Sequence, residues 1–181
     1  MNADKDEKWA ATQNRNAKDM CPGDSELALK YLNEAESLAL QTQNKAILPI
    51  ILENQALVIN ASGDCERGLA MLRRAGQVCR RENNIDGLGS ILGNLAQLTP
   101  DVAESLALSQ EQADISTKLN DKLRLSQALA TQAVALHRLN REEEAQRKGR
   151  EALQLAHRHR FAFATQIEAA FKSAGLRLDP R

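Results

Sequence analysis

The sequence carries no excess charge of either sign: 24 Lys and Arg stand against 24 Asp and Glu. Binding to nucleic acid or to an anionic membrane draws on concentrated Lys and Arg, so neither partner is expected. No run of about 18 apolar residues, the length a membrane-crossing helix needs, is present. The first residues, MNADKDEKWAATQ, are polar and mixed in charge rather than basic and then apolar. Together these absences predict a soluble, cytoplasmic protein. Cysteine is sparse too. Cys21, Cys65 and Cys79 are odd in number and form no CxxC pair, which argues against a disulfide framework or a zinc knuckle and for a reducing compartment. Neither a metal nor a cofactor is expected. Strand formers are scarce, aromatics reach only 3%, and no segment alternates with period two. Ala, Leu, Gln, Glu and Arg dominate instead, so the chain reads as all-α.

What the sequence does have is a repeat. Turn signals recur at Pro22-Gly23-Asp24, Ser62-Gly63-Asp64 and Thr99-Pro100-Asp101, with a weaker one at Leu139-Asn140-Arg141. The steps between positions 24, 64, 101 and 141 are 40, 37 and 40. In the first three, Gly or Pro ends one helix and the Asp side chain can cap the next; Asp101 and Glu104 have capping-box spacing. A second series of breaks alternates with the first: Gln43-Asn44, Asn83-Asn84, Asn120-Asp121 and Arg160-Phe161. Positions seven apart keep the same beat: Ala28 and Ala35, Gly68 and Ala75, Ser105 and Gln112, Ala145 and Ala152. Each pair shares a helix face. The other helix of each unit centres on Ala56, Ala96 or Ala133, 12 residues past Asn44, Asn84 and Asp121 respectively. The shortened unit has lost three residues between Ala96 and Asp101, placed by the sequence in its inner turn.

A two-helix unit of this length cannot bury its apolar face alone, and stacking on its neighbours gives a solenoid. Small residues belong where two helices cross closely. Pro49 falls early in a predicted helix, where first-turn amides have no intrahelical partner. The expected organisation is one domain: a capping hairpin over 1–43, repeat hairpins over 44–83, 84–120 and 121–160, and a capping helix over 161–176.

The segment 64–98, with its Gly-Asp turn, Gly68 and Ala75 seven apart, the Asn83-Asn84 turn and Leu92-Gly93-Asn94-Leu95-Ala96, resembles a tetratricopeptide repeat. Asn54-Gln55-Ala56 and Thr131-Gln132-Ala133 repeat the last element more loosely. The likeness covers residues 24–160 and is to the long, roughly 40-residue variety seen in kinesin light chains and in the repeat regions of bacterial signalling ATPases and regulators. It departs from the short pattern of about 34 residues in period and in lacking most of its large aromatics. The resemblance implies a right-handed α-solenoid of antiparallel helix pairs whose first helices line a concave groove. By resemblance, the family's groove asparagine falls at Asn54 and Asn94, with Thr131 in its place in the next unit. Nearby turns add Ile50, Glu53, Leu57, Asn60, Ser90, Gln97, Gln127, Val134 and Arg138. An amide both donates and accepts, which suits an extended peptide backbone. The lining lacks the row of Lys and Arg with which chaperone-binding members hold a terminal carboxylate.

Other stretches yield to plainer readings. Gly87-Leu88-Gly89-Ser90-Ile91-Leu92-Gly93 follows no strand and has one residue too many for a dinucleotide fingerprint. His157 and His159, two apart on a helix, point to different sides, whereas a zinc pair wants a spacing nearer four; they read, like His137-Arg138, as a basic helix end. Cys65 and Cys79 sit at opposite ends of one predicted helix and cannot bridge there. Glu142 to Glu144 form a solvated first turn. No Cys or Ser with His and acid forms a recognisable frame, so an enzyme is not expected. The expected function is non-catalytic protein–protein interaction, as a scaffold or adaptor holding a protein or peptide in the groove. The alternative is a sensor or autoinhibitory repeat region of a signalling ATPase, transcription regulator or effector. Residues 1–63 hold 9 acids and 6 bases, residues 138–181 hold 6 acids and 10 bases, a complementarity that allows weak head-to-tail self-association.

Overall fold

The computed structural model describes residues 24–42 and 46–178. The expected first helix of the N-terminal hairpin, the Pro22-Gly23 turn and the Gln43-Asn44 break lie outside the described residues. Among these there are eight helices and no strand: α1 (Asp24–Gln41), α2 (Leu48–Ala61), α3 (Cys65–Arg81), α4 (Ile85–Leu98), α5 (Val102–Lys118), α6 (Lys122–Arg138), α7 (Glu142–Arg158) and α8 (Ala164–Ala174).

The helix boundaries follow from local chemistry. Asp64 accepts a hydrogen bond from the Arg67 amide at 3.1 Å, Asp121 from that of Arg124 at 2.9 Å, and Asp101 from those of Ala103 and Glu104. Asn84 caps α4 in the same way, accepting from the Gly87 amide at 2.8 Å. Each satisfies a first-turn donor that has no intrahelical partner. Left-handed residues make the described breaks of the second series, at Asn83, Asn120 and Arg160, and the weaker turn of the first series at Asn140, with φ between 53° and 59°. Asn enters that region at least cost among residues with a side chain. At the fourth cap Arg141 has no carboxylate to offer and instead forks onto Glu144, Nε to Oε1 at 2.7 Å and Nη2 to Oε2 at 2.8 Å.

The three residues missing from the short unit were expected in its inner turn; the structure corrects this. Segments 62–64, 99–101 and 139–141 all contain three residues, whereas α4 ends two residues after Ala96, and α2 and α6 end five after Ala56 and Ala133. The deletion removed most of the last turn of α4. Pro100 accounts for the stop, because its ring disfavours helical backbone at Thr99.

The residues cluster in two compact units, one ending at Gly87 and the other beginning at Leu88. In the first, α1 packs on α2 and α2 on α3. Leu32, Ala39, Ile51 and Val58 form the α1–α2 core. Gly68 lets α3 approach the α2 backbone: a Cβ there would stand 3.1 Å from the Ala56 carbonyl oxygen. In the second, α5 packs on α6, α6 on α7, and α8 on both α6 and α7. Its core runs from Leu106 through Leu129, Leu136, Ala145 and Ala152 to Ile167 and Phe171. The small-residue positions pack as expected, with Ala56, Ala75, Ala133, Ala145 and Ala152 fully enclosed.

Candidate functional site: a cleft in the second unit

Within the second unit, the end of α4, the start of α5, one face of α6 and the flank of α8 enclose a cleft of about 370 Å³. Its floor is apolar, from Ala96, Val102, Ala130, Val134, Ala135, Phe163, Ile167 and Ala170; its polar groups are Gln97, Thr99, Ser105, Gln127, Thr131, Gln166 and Arg138. Several of the polar groups are already committed. Ser105 Oγ donates to the Ala96 carbonyl, Thr99 Oγ1 donates to Glu104 Oε2 at 2.6 Å, and Thr131 Oγ1 donates to the Gln127 carbonyl at 3.2 Å. Gln97, Gln166 and Arg138 are exposed at the rim. Arg138 sits in the last turn of α6, where the helix dipole favours a cation. It is the one formally charged residue of the lining.

Five expected groove residues meet in this cleft: Gln97, Gln127, Thr131, Val134 and Arg138. Ser90 and Asn94 are half-buried on α4 and engage other groups. Ile50, Glu53, Asn54, Leu57 and Asn60 all lie on α2, in the first unit. Of these Ile50 is exposed, Glu53, Leu57 and Asn60 are half-buried, and Asn54 is only 4% exposed. The neighbour of Asn54, Gln55, is also buried, and its Nε2 donates to Asn33 Oδ1 and Glu36 Oε2 of α1, both at 3.0 Å. The matching Gln132 donates to the Ser109 carbonyl of α5 at 3.0 Å. The middle residue of each Asn/Thr-Gln-Ala triplet therefore ties its helix to the preceding one.

Sequence reasoning treated the last helix as a cap only and so missed Phe163, Gln166, Ile167 and Ala170. A signal was present: one 40-residue step beyond Gln127 and Ala130 falls on Ile167 and Ala170, and all four line the cleft.

The remaining candidates sit as follows. Gly89 and Gly93 lie buried in α4, and a Cβ on Gly89 would stand 3.1 Å from Ile115 Cγ2. His157 is exposed, 3.5 Å from Glu168, and His159 stacks on Phe161, which stacks on Phe163. His137 Nδ1 lies 2.6 Å from Glu142 Oε2. Cys65 is exposed and Cys79 buried; burial first, then the Glu53 carboxylate, pushes the Cys79 thiol up from its ordinary range. Among the described residues no three His, Cys, Asp or Glu side chains cluster as a metal site would require, and no helix is long and apolar enough to cross a membrane.

Compared with protein-family models and with curated proteins, the sequence matches none.

Proposed function

We propose that the chain is a non-catalytic protein–protein interaction module, a scaffold or adaptor built as a tetratricopeptide-like solenoid, and that it holds an extended peptide in the cleft walled by α4, α6 and α8. One observation carries this reading. The amides of Gln97, Gln127 and Gln166 stand around an apolar floor with a single cation, Arg138, at the rim. Amide side chains can donate to and accept from a peptide backbone whatever its sequence, while the floor takes an apolar side chain and Arg138 favours an acidic one. No lining residue is acidic or a plausible nucleophile-and-base pair, which favours binding over catalysis.

The test is selection from a library of short linear peptides on the 181-residue chain, followed by fluorescence anisotropy of the best binder. Arg138→Ala and Gln127→Ala should each weaken it about 10-fold or more, the worth of a hydrogen bond to a charged or desolvated group. Unchanged affinity in both variants, with circular dichroism showing intact helices, would remove the cleft as the site.

A further inference from the structure

A column of rings leads out of the cleft. Phe163, in its wall, stacks on Phe161 with ring centroids 5.5 Å apart, and Phe161 stacks on His159 at 5.4 Å, each pair 15° from parallel. Phe161 and Phe163 are half-buried against the core of the second unit, while His159, just past the last residue of α7, is exposed. Two exposed cations, Arg158 and Arg160, alternate with the rings along the chain. From Leu155 to Leu178 there are four Lys and Arg against one acid, Glu168, and that carboxylate lies 3.5 Å from His157. Arg160 is also at odds with its own backbone. Its φ of 54° is the left-handed conformation that Asn83, Asn120 and Asn140 adopt at other turns, and Arg enters that region at greater cost than Asn. The helix dipole accounts for a cation at Arg158, in the last turn of α7. It accounts neither for the ring column nor for an arginine at a position suited to asparagine.

We propose that this edge is an anion-selecting extension of the cleft. A peptide anchored in the cleft by an apolar side chain continues over Phe163 and Phe161 and presents Asp or Glu side chains to Arg158 and Arg160. The inference rests on the reading of the cleft as a peptide site and adds the character and register of the bound sequence. Phe161, stacked on both sides, has no face left for a nucleic-acid base. Its open part is the ring edge, the positive end of the aromatic quadrupole, and ring edge and guanidinium both attract carboxylates. Two ring steps of this size match about three residues of extended chain at roughly 3.3 Å each. The acid should therefore fall about three positions from the apolar anchor.

The experiment pans a random dodecapeptide display library on the 181-residue chain and on an Arg158→Gln, Arg160→Asn double variant. Asn suits the backbone at 160 and both side chains are exposed, so dichroism should show the variant folded. The parent should select peptides with an apolar residue and Asp or Glu about three positions away; the variant should keep the apolar preference and lose the acid. By fluorescence anisotropy the best parent-selected peptide should bind the variant about 5-fold or more weakly, the worth of two exposed charge pairs. Changing the peptide's acid to its amide should cost as much on the parent and nothing further on the variant. Selected peptides without an acid at that register, or an amide change equally costly on both proteins, overturn the inference and leave the cleft standing. Failure to select any peptide removes the cleft reading itself, and this inference with it. A labelled uridine dodecamer that binds the parent and not the variant also overturns it, assigning the edge to nucleic acid.

Discussion

Gln112 occupies a place that the repeat fills with Ala75 or Ala152 in other units, and it is only 4% exposed. The room for it comes from Gly93 on α4. A Cβ built on Gly93 would stand 3.0 Å from Gln112 Cδ and closer still to Nε2. Replacing glycine by alanine inside a helix is otherwise favourable by about 1 kcal/mol. Here the methyl must expel the buried amide from its site, an overpacking cost of about 1–3 kcal/mol. The expected net effect of Gly93→Ala is a destabilisation of about 1 kcal/mol, or a fall in Tm of about 2–4 °C for a chain of this size. Gln112→Ala alone leaves the glycine facing a void and also destabilises. In the double variant the new methyl enters space the glutamine has vacated, so the loss should be smaller than the sum by about 1 kcal/mol or more. Urea titrations followed by dichroism on all four proteins close the cycle. Should Gly93→Ala prove as stable as the parent or more so, helix propensity has won and the interlock has no energetic content.

Other consequences can be checked singly. Leu72 is fully enclosed in the first unit, so Leu72→Ala should cost about 2–5 kcal/mol in urea titration. Asp121→Ala removes the cap of α6 and should cost about 1 kcal/mol by the same measurement. In a Cys21→Ser background, native alkylation should label Cys65 quickly and Cys79 slowly, because burial both hides the Cys79 thiol and disfavours its thiolate. The hydrogen bond from Arg141 holds the Glu144 carboxyl below its ordinary range. Its small contribution is complete above the unfolded carboxylate pKa and is lost as pH falls through the folded one; Arg141→Ala should move the Glu144 titration, followed by NMR, upward.

The all-helical class and the placing of the breaks were legible in the sequence because both rest on short-range chemistry. Asp64, Asp101 and Asp121 cap whatever helix follows them, and Asn83, Asn120 and Asn140 enter the left-handed region by their own backbone preference. The small residues at 75, 133, 145 and 152 could be assigned to close crossings because period and burial coincide. What a side chain meets across the fold was another matter. The sequence could place Gln97, Gln127, Thr131, Val134 and Arg138 near one surface, yet only the packing of α8 against α6 and α7 walls that surface into a cleft. Asn54 reads in the sequence as a groove residue, yet tertiary structure encloses it and turns its neighbour Gln55 onto Asn33 and Glu36. The three-residue deletion, visible as a shortened period, was assigned by the structure to the end of α4 rather than to a turn, since nothing in a period says which segment shortened. Local backbone preferences are encoded residue by residue, whereas a cleft or a buried amide exists only when segments distant in sequence are brought together.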